Sequence, residues 1–332
     1  MSGADSVEKA GALKHVQTYG TLACFVGLLL FFWAVLPGTF MTGRNLINIS
    51  QQMSMLAVAA FAMTFVMAMG DFDLSIGSMA SLSGIIAALV FRNADSVALG
   101  VALAIALGIL GGALNGFLVS YAGILPFVAT LGTLTIFSGL AFLVSGGKTI
   151  FGSDIPAAFS DFARGGVPLW QSGDQVLLLP NLTIVAAIAL LAAWFTLEKL
   201  VFGRHLYAIG GSAEAARLAG VNVKLTRLAA FAICGLGAAV SGLMYASRVA
   251  SANPTQGGGL MLDAIAAVFL GMTIGRNGEP RALHTLVGVL IIGVLSNGLT
   301  QLSVDSYIRD ILVGAIIIAA VLPGSIGKLK RN

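Results

Sequence analysis

From Thr21 to Leu322 the chain is a succession of apolar runs separated by short polar stretches. Ten runs can be marked: 20–36, 46–69, 73–91, 97–121, 126–144, 176–197, 227–248, 259–275, 283–301 and 307–322. A membrane-spanning helix needs roughly 20 apolar residues, so this pattern predicts an all-α, polytopic membrane protein with about ten transmembrane helices. The runs that begin at 73 and 259 are short or interrupted by glycine, which marks them for broken or re-entrant helices beside a cavity. The expected organisation is a tail over 1–19, a transmembrane body over 20–322 and a second tail over 323–332. The apolar run after the first tail ends in LPGTFM without a small-residue cleavage site, so it is expected to be a retained first helix rather than a signal peptide.

Two connections are long enough to carry more than a turn. The first, 145–176, is rich in Gly, Ser and Asp, and its SGGKT string looks like the end of a phosphate-binding loop. The first glycine of that motif would fall at Phe142, so the motif fails. The second, 198–226, holds a short helix signal. Ser212 is a good N-cap, Glu214 lies where a helix dipole favours an anion, and Gly220 can adopt the left-handed conformation that ends a helix. A helix of about two turns, Ala213 to Ala219, is expected there, standing alone between two spans and too short to be stable without a partner surface.

Charge sets the expected orientation. With both termini inside, Lys9, Lys14, Lys199, Arg204, Arg217, Lys224, Arg227, Arg276, Arg281, Lys328, Lys330 and Arg331 are cytoplasmic, twelve of the eighteen basic residues. Arg44, Arg92, Lys148, Arg164, Arg248 and Arg309 fall outside, and the excess of Lys and Arg in inner loops favours this choice.

Composition agrees with the membrane reading. Of 332 residues, 58% are apolar, 10% are charged and 42 are glycine, with a mean hydropathy of +0.96. Soluble domains carry about 25% charged residues. The net charge of +4 and pI near 9.2 reflect orientation rather than nucleic-acid binding, because the basic residues are scattered. Cys24 and Cys234, each within an apolar run, read as small buried residues without metal or disulfide spacing. His15, His205 and His284 are far apart beside inner polar segments and read as solvated or headgroup-facing. Nothing resembles a catalytic constellation, so no enzyme activity, no metal site and no bound cofactor are expected of the chain.

The polar residues left inside the apolar runs are candidates for a solute path or gate. Asp71, Asp73 and Ser75 lie in GDFDLSIGS. An Asp at bilayer depth costs about 2.5 to 3.5 kcal/mol on insertion scales, so these acids either sit at the interface, capping the next helix, or are functional. Asp263 in LMLDAIAAVFLG has the same two readings, pore-lining or capping. Asn115, Thr130, Thr133 and Asn297 carry amides and hydroxyls that both donate and accept, which suits a sugar-like solute, although each could equally bond helix to helix. Gly108, Gly112 and Gly116 repeat a small-residue spacing expected of a packing face. The scarcity of charge within the spans argues against an ion-coupled carrier, so uphill transport would draw on another protein. A stand-alone secondary carrier or channel for a small polar solute is the alternative.

Five strings, GDFDLSIGS (70–78), LPFVATLGTL (125–134), FGRHLYAIGGSAEAARLAGVNV (202–223), LDAIAAVFLG (262–271) and GVLIIGVLSNGLTQLSV (288–304), resemble the permease subunits of bacterial ATP-binding cassette importers for monosaccharides, the ribose, arabinose, xylose and galactoside group. The resemblance runs from about 20 to 322. It implies a type II importer-like permease in the bacterial inner membrane that pairs with a second, identical or related permease. Two ATPase subunits carrying ATP and Mg would dock on the cytoplasmic face, and a periplasmic or surface sugar-binding protein would deliver solute. In that family the short inner helix couples the permease to the ATPase. Here this maps onto Ser212, Glu214, Ala215, Ala216, Arg217, Leu218 and Gly220, with Glu214 and Arg217 as polar contacts. The chain departs from the family at 271–282, GMTIGRNGEPRA, which brings in Arg276, Glu279 and Arg281; we read the change as altering the turn rather than the ATPase contact. The usual Asn after IGG is Ser212, which keeps the capping role.

Overall fold

The computed structural model describes residues 20–172, 175–275, 278–308 and 310–315, and both expected tails lie outside these. The described chain is mostly helical. In order it forms α1 (Gly20–Val35), α2 (Gly43–Met67), α3 (Ile76–Ala94), α4 (Val97–Ser120), α5 (Pro126–Ser145), β1 (Ile150–Phe151), α6 (Ala157–Arg164), β2 (Gly166–Ser172), β3 (Gln175–Pro180), α7 (Asn181–Lys199), α8 (Val201–Gly211), α9 (Ala213–Leu218), α10 (Val223–Val249), β4 (Ser251–Ala252), α11 (Leu260–Met272) and α12 (Ala282–Gln301). Helical backbone reappears at 306–308 and 310–315. Among the described residues, seven helices are long and apolar enough to cross a membrane: α2, α3, α4, α5, α7, α10 and α12. The apolar α1 and α11 are shorter, and most of the tenth expected run lies outside the described residues. The chain is thus a multi-pass helical membrane protein in which seven of the ten expected spans have full length.

Local chemistry fixes the helix ends. Thr42, Ser96 and Asn222 accept a backbone N–H from Asn45, Leu99 and Leu225, and Pro126 opens α5, where a missing N–H costs nothing. The centre of the bundle is α2, 78% buried over its apolar window, with α10 against it. The seam between α4 and α10 is backbone against backbone. A Cβ on Gly112 would stand 2.1 Å from the Phe231 carbonyl oxygen, and one on Gly235 would stand 2.0 Å from that of Gly108. The small-residue face expected from Gly108, Gly112 and Gly116 is therefore a packing face. By contrast only 28%, 28% and 22% of the apolar windows of α4, α5 and α7 are buried, and α5 turns Leu131, Ile136 and Leu143 outward. Such surfaces suit lipid or another apolar partner.

Successive helices alternate between two ends of the bundle. One end, the α9 end, gathers 68–75, 121–125, α8, α9, 273–275 and 278–281. There Tyr207 donates to the Pro280 carbonyl at 2.9 Å, and Arg281 lies 3.3 Å from Glu198. Burial, then the nearby Glu198 charge, pushes the Tyr207 phenol above its ordinary pKa, so it remains a donor. The opposite end gathers 95–96, 146–172, 175–180 and 250–255, where β1 pairs with β4 and β2 with β3, both antiparallel, while Gly257 turns inward and donates its N–H to Ser81 Oγ of α3 at 2.8 Å. We call it the hairpin end.

Several expectations need correction. The connection 145–176 is built, not irregular: it holds β1, a 3-10 turn at Gly152–Asp154, α6 and the β2–β3 hairpin. The helix expected from 176 begins at Asn181, because QVLLLP forms β3; a short apolar run reads the same for a strand as for a buried helix end. The two-turn helix does not stand alone. The eleven-residue α8 immediately precedes it, and Gly203, Leu206 and Ile209 form its buried side. Gly210 is a contact point between backbones, since a Cβ there would lie 2.3 Å from the Ala68 carbonyl oxygen. Cys24 is exposed on α1 rather than buried, whereas Cys234 is fully buried. His284 is half-buried, with its Nδ1 enclosed rather than solvated.

Candidate coupling and translocation site

The link from α2 to α3 is the most chemically loaded segment of the α9 end. Gly70, at φ +80°, turns the chain out of α2, and Ser75 occupies the N-cap position of α3. The Ser75 side chain does not cap that helix. Its Oγ donates to Asp73 Oδ1 at 2.6 Å, and its backbone N–H donates to the same oxygen at 2.9 Å. The capping reading of this pair thus holds for the position of Ser75 but not for its hydroxyl.

A network grows from this turn into the bundle. Asn115 of α4 donates through Nδ2 to Ser75 Oγ at 2.8 Å and lies 3.4 and 3.5 Å from the two Asp73 oxygens. Its Oδ1 accepts from Thr133 Oγ1 of α5 at 2.7 Å. Thr130, one turn earlier, reaches the Phe72 carbonyl at 3.4 Å while donating to its own helix at Pro126, 2.8 Å away. Asp73, Ser75, Asn115, Thr130 and Thr133 are all buried, between 0% and 2% exposed. Among the described residues no Lys or Arg forms an ion pair with Asp73; its partners are neutral donors. Satisfying each polar atom this way is what makes such a cluster tolerable in a low-dielectric interior.

Asp71, two residues earlier, has a charged partner. Arg227 Nε, in the second turn of α10, is 2.7 Å from Asp71 Oδ2, with side chains 22% and 9% exposed. Beside this pair, Lys224 lies over the Tyr121 ring at 5.3 Å. Arg227 was legible only as one of the inner cations; its contact with Asp71 needs the fold.

The helix α9 behaves as its caps predicted. Ser212 Oγ accepts from Ala215 N–H at 3.2 Å, and Gly220 has φ +87°. The helix ends at Leu218, with Ala219 as its C-cap. Ala216 faces inward and is buried. Glu214, Ala215, Arg217 and Leu218 are exposed, Leu218 at 79%, and Arg217 bonds Glu214 at 2.7 Å. The bundle end therefore presents a small surface with one large apolar side chain and a pair of opposite charges.

The remaining candidates lie elsewhere. Asn297 of α12 accepts from Asn45 at 3.1 Å and Gln301 at 2.9 Å, bonding α2 to α12 away from the cluster. Asp263 is half-buried in the first turn of α11, where an acid suits the helix dipole. In the 271–282 connection, Arg281 bridges Glu198 and Glu279, while Arg276 lies outside the described residues. An apolar groove of about 370 Å³ between α7 and α10 is lined by Phe61, Phe65, Ala189 and Gly237 among others, and by none of the sequence-selected residues. Asp73, Ser75, Asn115, Thr130 and Thr133 thus form one buried network, and Asn297 and Asp263 lie apart from it.

Comparison with known proteins follows the same body of the chain. A family model described as "Branched-chain amino acid transport system / permease component" matches residues 45–321. The ribose import permease protein RbsC of Bacillus subtilis (strain 168) is 39% identical over 307 residues, covering 91% of this chain and 91% of that protein. RbsC of Escherichia coli (strain K12) is 37% identical over 295 residues, 89% of this chain and 90% of its own length. The L-arabinose transport system permease protein AraH of the same strain is 33% identical over 323 residues, 96% and 95% of the two chains. No solved structure matches.

Proposed function

This chain belongs to the family of transport-system permease components, and from that premise we propose that it is the membrane subunit of an ATP-driven importer for a monosaccharide, a pentose, hexose or related polyol. The observation that carries the reading is the similarity to sugar permeases along nine-tenths of both chains. The family description names branched-chain amino acids, but the relatives with printed solutes carry ribose, allose and arabinose. A neutral solute also fits a body whose internal polar groups are mainly amides and hydroxyls.

In this reading the permease adopts a type II importer-like arrangement of about ten helices, with both termini and the α9 end cytoplasmic. Lys199, Arg204, Arg217, Lys224, Arg227 and Arg281 at that end support the orientation. ATP and Mg belong to two partner ATPase subunits, which dock on the exposed side of α9 at Glu214, Ala215, Arg217 and Leu218. A delivery protein meets the hairpin end, and the thinly covered α5 faces a second permease, a copy or a paralogue, across the solute path. ATP-driven closure of the ATPases moves α8 and α9, and the paired permeases rock between outward- and inward-open states.

Reconstitution of the full complex in liposomes tests this. The expected result is ATP-dependent uptake of labelled ribose, allose or arabinose with none of leucine. In a complex carrying Arg217→Glu, two acids would face each other on α9; ATP hydrolysis should persist while uptake falls about ten-fold, with no loss of folding, since the position is exposed. Unchanged uptake in that variant refutes the coupling role of α9. Uptake by the chain alone, without ATP, would make it a stand-alone carrier.

A further inference from the structure

We propose that the Asp71–Arg227 ion pair is a positioning strut that transmits movement of the α8–α9 surface to the buried Asp73 network and to α5; this rests on the importer reading above. The argument starts from the connection between α9 and α10. Only 219–222 separate the two helices, and the backbone there is tightly bonded: Gly220 N–H donates to Arg217 O at 3.0 Å and Val221 N–H to Ala216 O at 3.0 Å. Asn222 then caps α10. A displacement of α9 is therefore passed to the first turns of α10, where Arg227 sits.

Arg227 does not point to solvent. It reaches across to Asp71, on a different segment and distant in sequence. The 68–75 link that carries Asp71 is gripped from both sides. On one side, α8 packs backbone to backbone against Ala68 at Gly210. On the other, Thr130 reaches Phe72 O, and Asn115 binds the Asp73–Ser75 turn and passes the contact to Thr133. The Phe72 ring meets Phe269 of α11 at 5.9 Å. The ion pair is thus the charged contact in an unbroken series of named contacts from the exposed α9 to α5, the helix with an uncovered face. Chains of packed side chains, hydrogen bonds and ion pairs of this kind can carry coupling between distant sites. A pair this enclosed cannot separate cheaply, because each charge would be left buried without its partner.

A pair that merely fastens α10 to the link would have the same geometry, so the test must separate fastening from transmission. The double variant Asp71→Asn, Arg227→Gln removes both charges, keeps a polar amide at each position and leaves no unpaired charge. Co-purification with the ATPases and the thermal midpoint report assembly, and solute transported per ATP hydrolysed reports transmission. The strut predicts normal assembly and ATP hydrolysis with the transport ratio down about ten-fold, within the range of coupling between linked sites. A double variant with the wild-type ratio overturns it. If the double variant does not assemble, Arg227→Lys decides, since it keeps the charge with a shorter, non-planar head. A ratio lowered about three-fold in an assembled Arg227→Lys complex supports the strut, and an unchanged ratio overturns it. A wild-type complex without ATP-driven uptake overturns the strut together with the importer reading, whereas an active wild type with an equally coupled double variant overturns the strut alone.

Discussion

Arg227 and Asp71 at the α9 end meet at 2.7 Å with little exposure, whereas Arg92 and Asp154 at the hairpin end stand 3.9 Å apart with side chains 46% and 36% exposed. The same contrast runs through the rest of each end. Near α9 the polar residues are linked inward, through Asp73, Ser75, Asn115 and Thr133, until the network reaches the middle helices. At the hairpin end the charged pairs are exposed, Arg164 with Asp161 one turn away, and the links between segments are single bonds to a backbone carbonyl or a surface side chain, as from Ser247 to Phe159 O and from Asn253 to Thr149. An end whose polar groups are tied into the packing can pass a displacement on. On the importer reading, an end whose charged pairs are screened and exposed suits recognition of a delivery protein more than transmission of a displacement.

The contrast presumes that both ends belong to one rigid frame, and the largest expected effect comes from breaking that frame. Gly112→Leu would drive a side chain into the Phe231 carbonyl at the α4–α10 seam, and backbone has little room to retreat. Overpacking of this kind costs about 1–3 kcal/mol where neighbours can shift, and more where they cannot. We expect loss of the folded protein from detergent extracts, read by size-exclusion profile, with protection lost at both ends together. A well-folded variant loosened at one end only would show that the ends are separate units.

Asn115→Ala is the intermediate case and is confined to the α9 end. It removes the donor to Ser75 Oγ and the acceptor for Thr133 Oγ1. A buried polar group left without a partner costs roughly 1–3 kcal/mol, although hydrogen bonds between membrane helices are often worth about 0.6 kcal/mol each. The expected outcome is an unfolding free energy lowered by about 1–3 kcal/mol in denaturant titration. Hydrogen exchange should quicken over 68–75 and 126–133 and stay unchanged over β2 and β3. Exchange that quickens equally in the hairpin would erase the distinction between the ends.

How much of this could be read from the sequence follows from the range of each interaction. Helix existence depends on local apolar composition, so every expected run within the described residues contains helix or lies beside it. Ser212 and Gly220 act within a turn of themselves, and α9 was legible from them. The glycine row 108, 112, 116 was legible because a helix repeats its face. β3 was not, because its four apolar residues before Pro180 carry no period that excludes a helix. α8 was missed because Gly203 and Gly210 serve close approach to Leu197 and Ala68, and their partners lie on other segments. The polar residues chosen one by one proved to be a group in five cases, Asp73, Ser75, Asn115, Thr130 and Thr133. Arg227 could not be joined to Asp71 without the fold, since more than a hundred residues separate them.

The smallest expected effect lies at the hairpin end. Arg92 sits in the last turn of α3, where its charge suits the helix dipole, and Asp154 faces it from the 3-10 turn at 3.9 Å. Both side chains are more than a third exposed, so water and salt screen the pair. Ordering two flexible side chains offsets much of what attraction remains, and exposed pairs measure about 0.2–1 kcal/mol. Arg92→Ala is therefore expected to change the unfolding free energy by no more than about 0.5 kcal/mol. Uptake per ATP should be unaltered, and any shift should shrink further as salt is raised. The same titration that reads Asn115→Ala reads this variant, so the two ends are compared on one scale. A loss of about 2 kcal/mol or more at Arg92, insensitive to salt, would mean that Asp154 and its turn are held as firmly as the Asp71 link. The hairpin end would then share the mechanical role assigned to the other end, and recognition without coupling would no longer describe it.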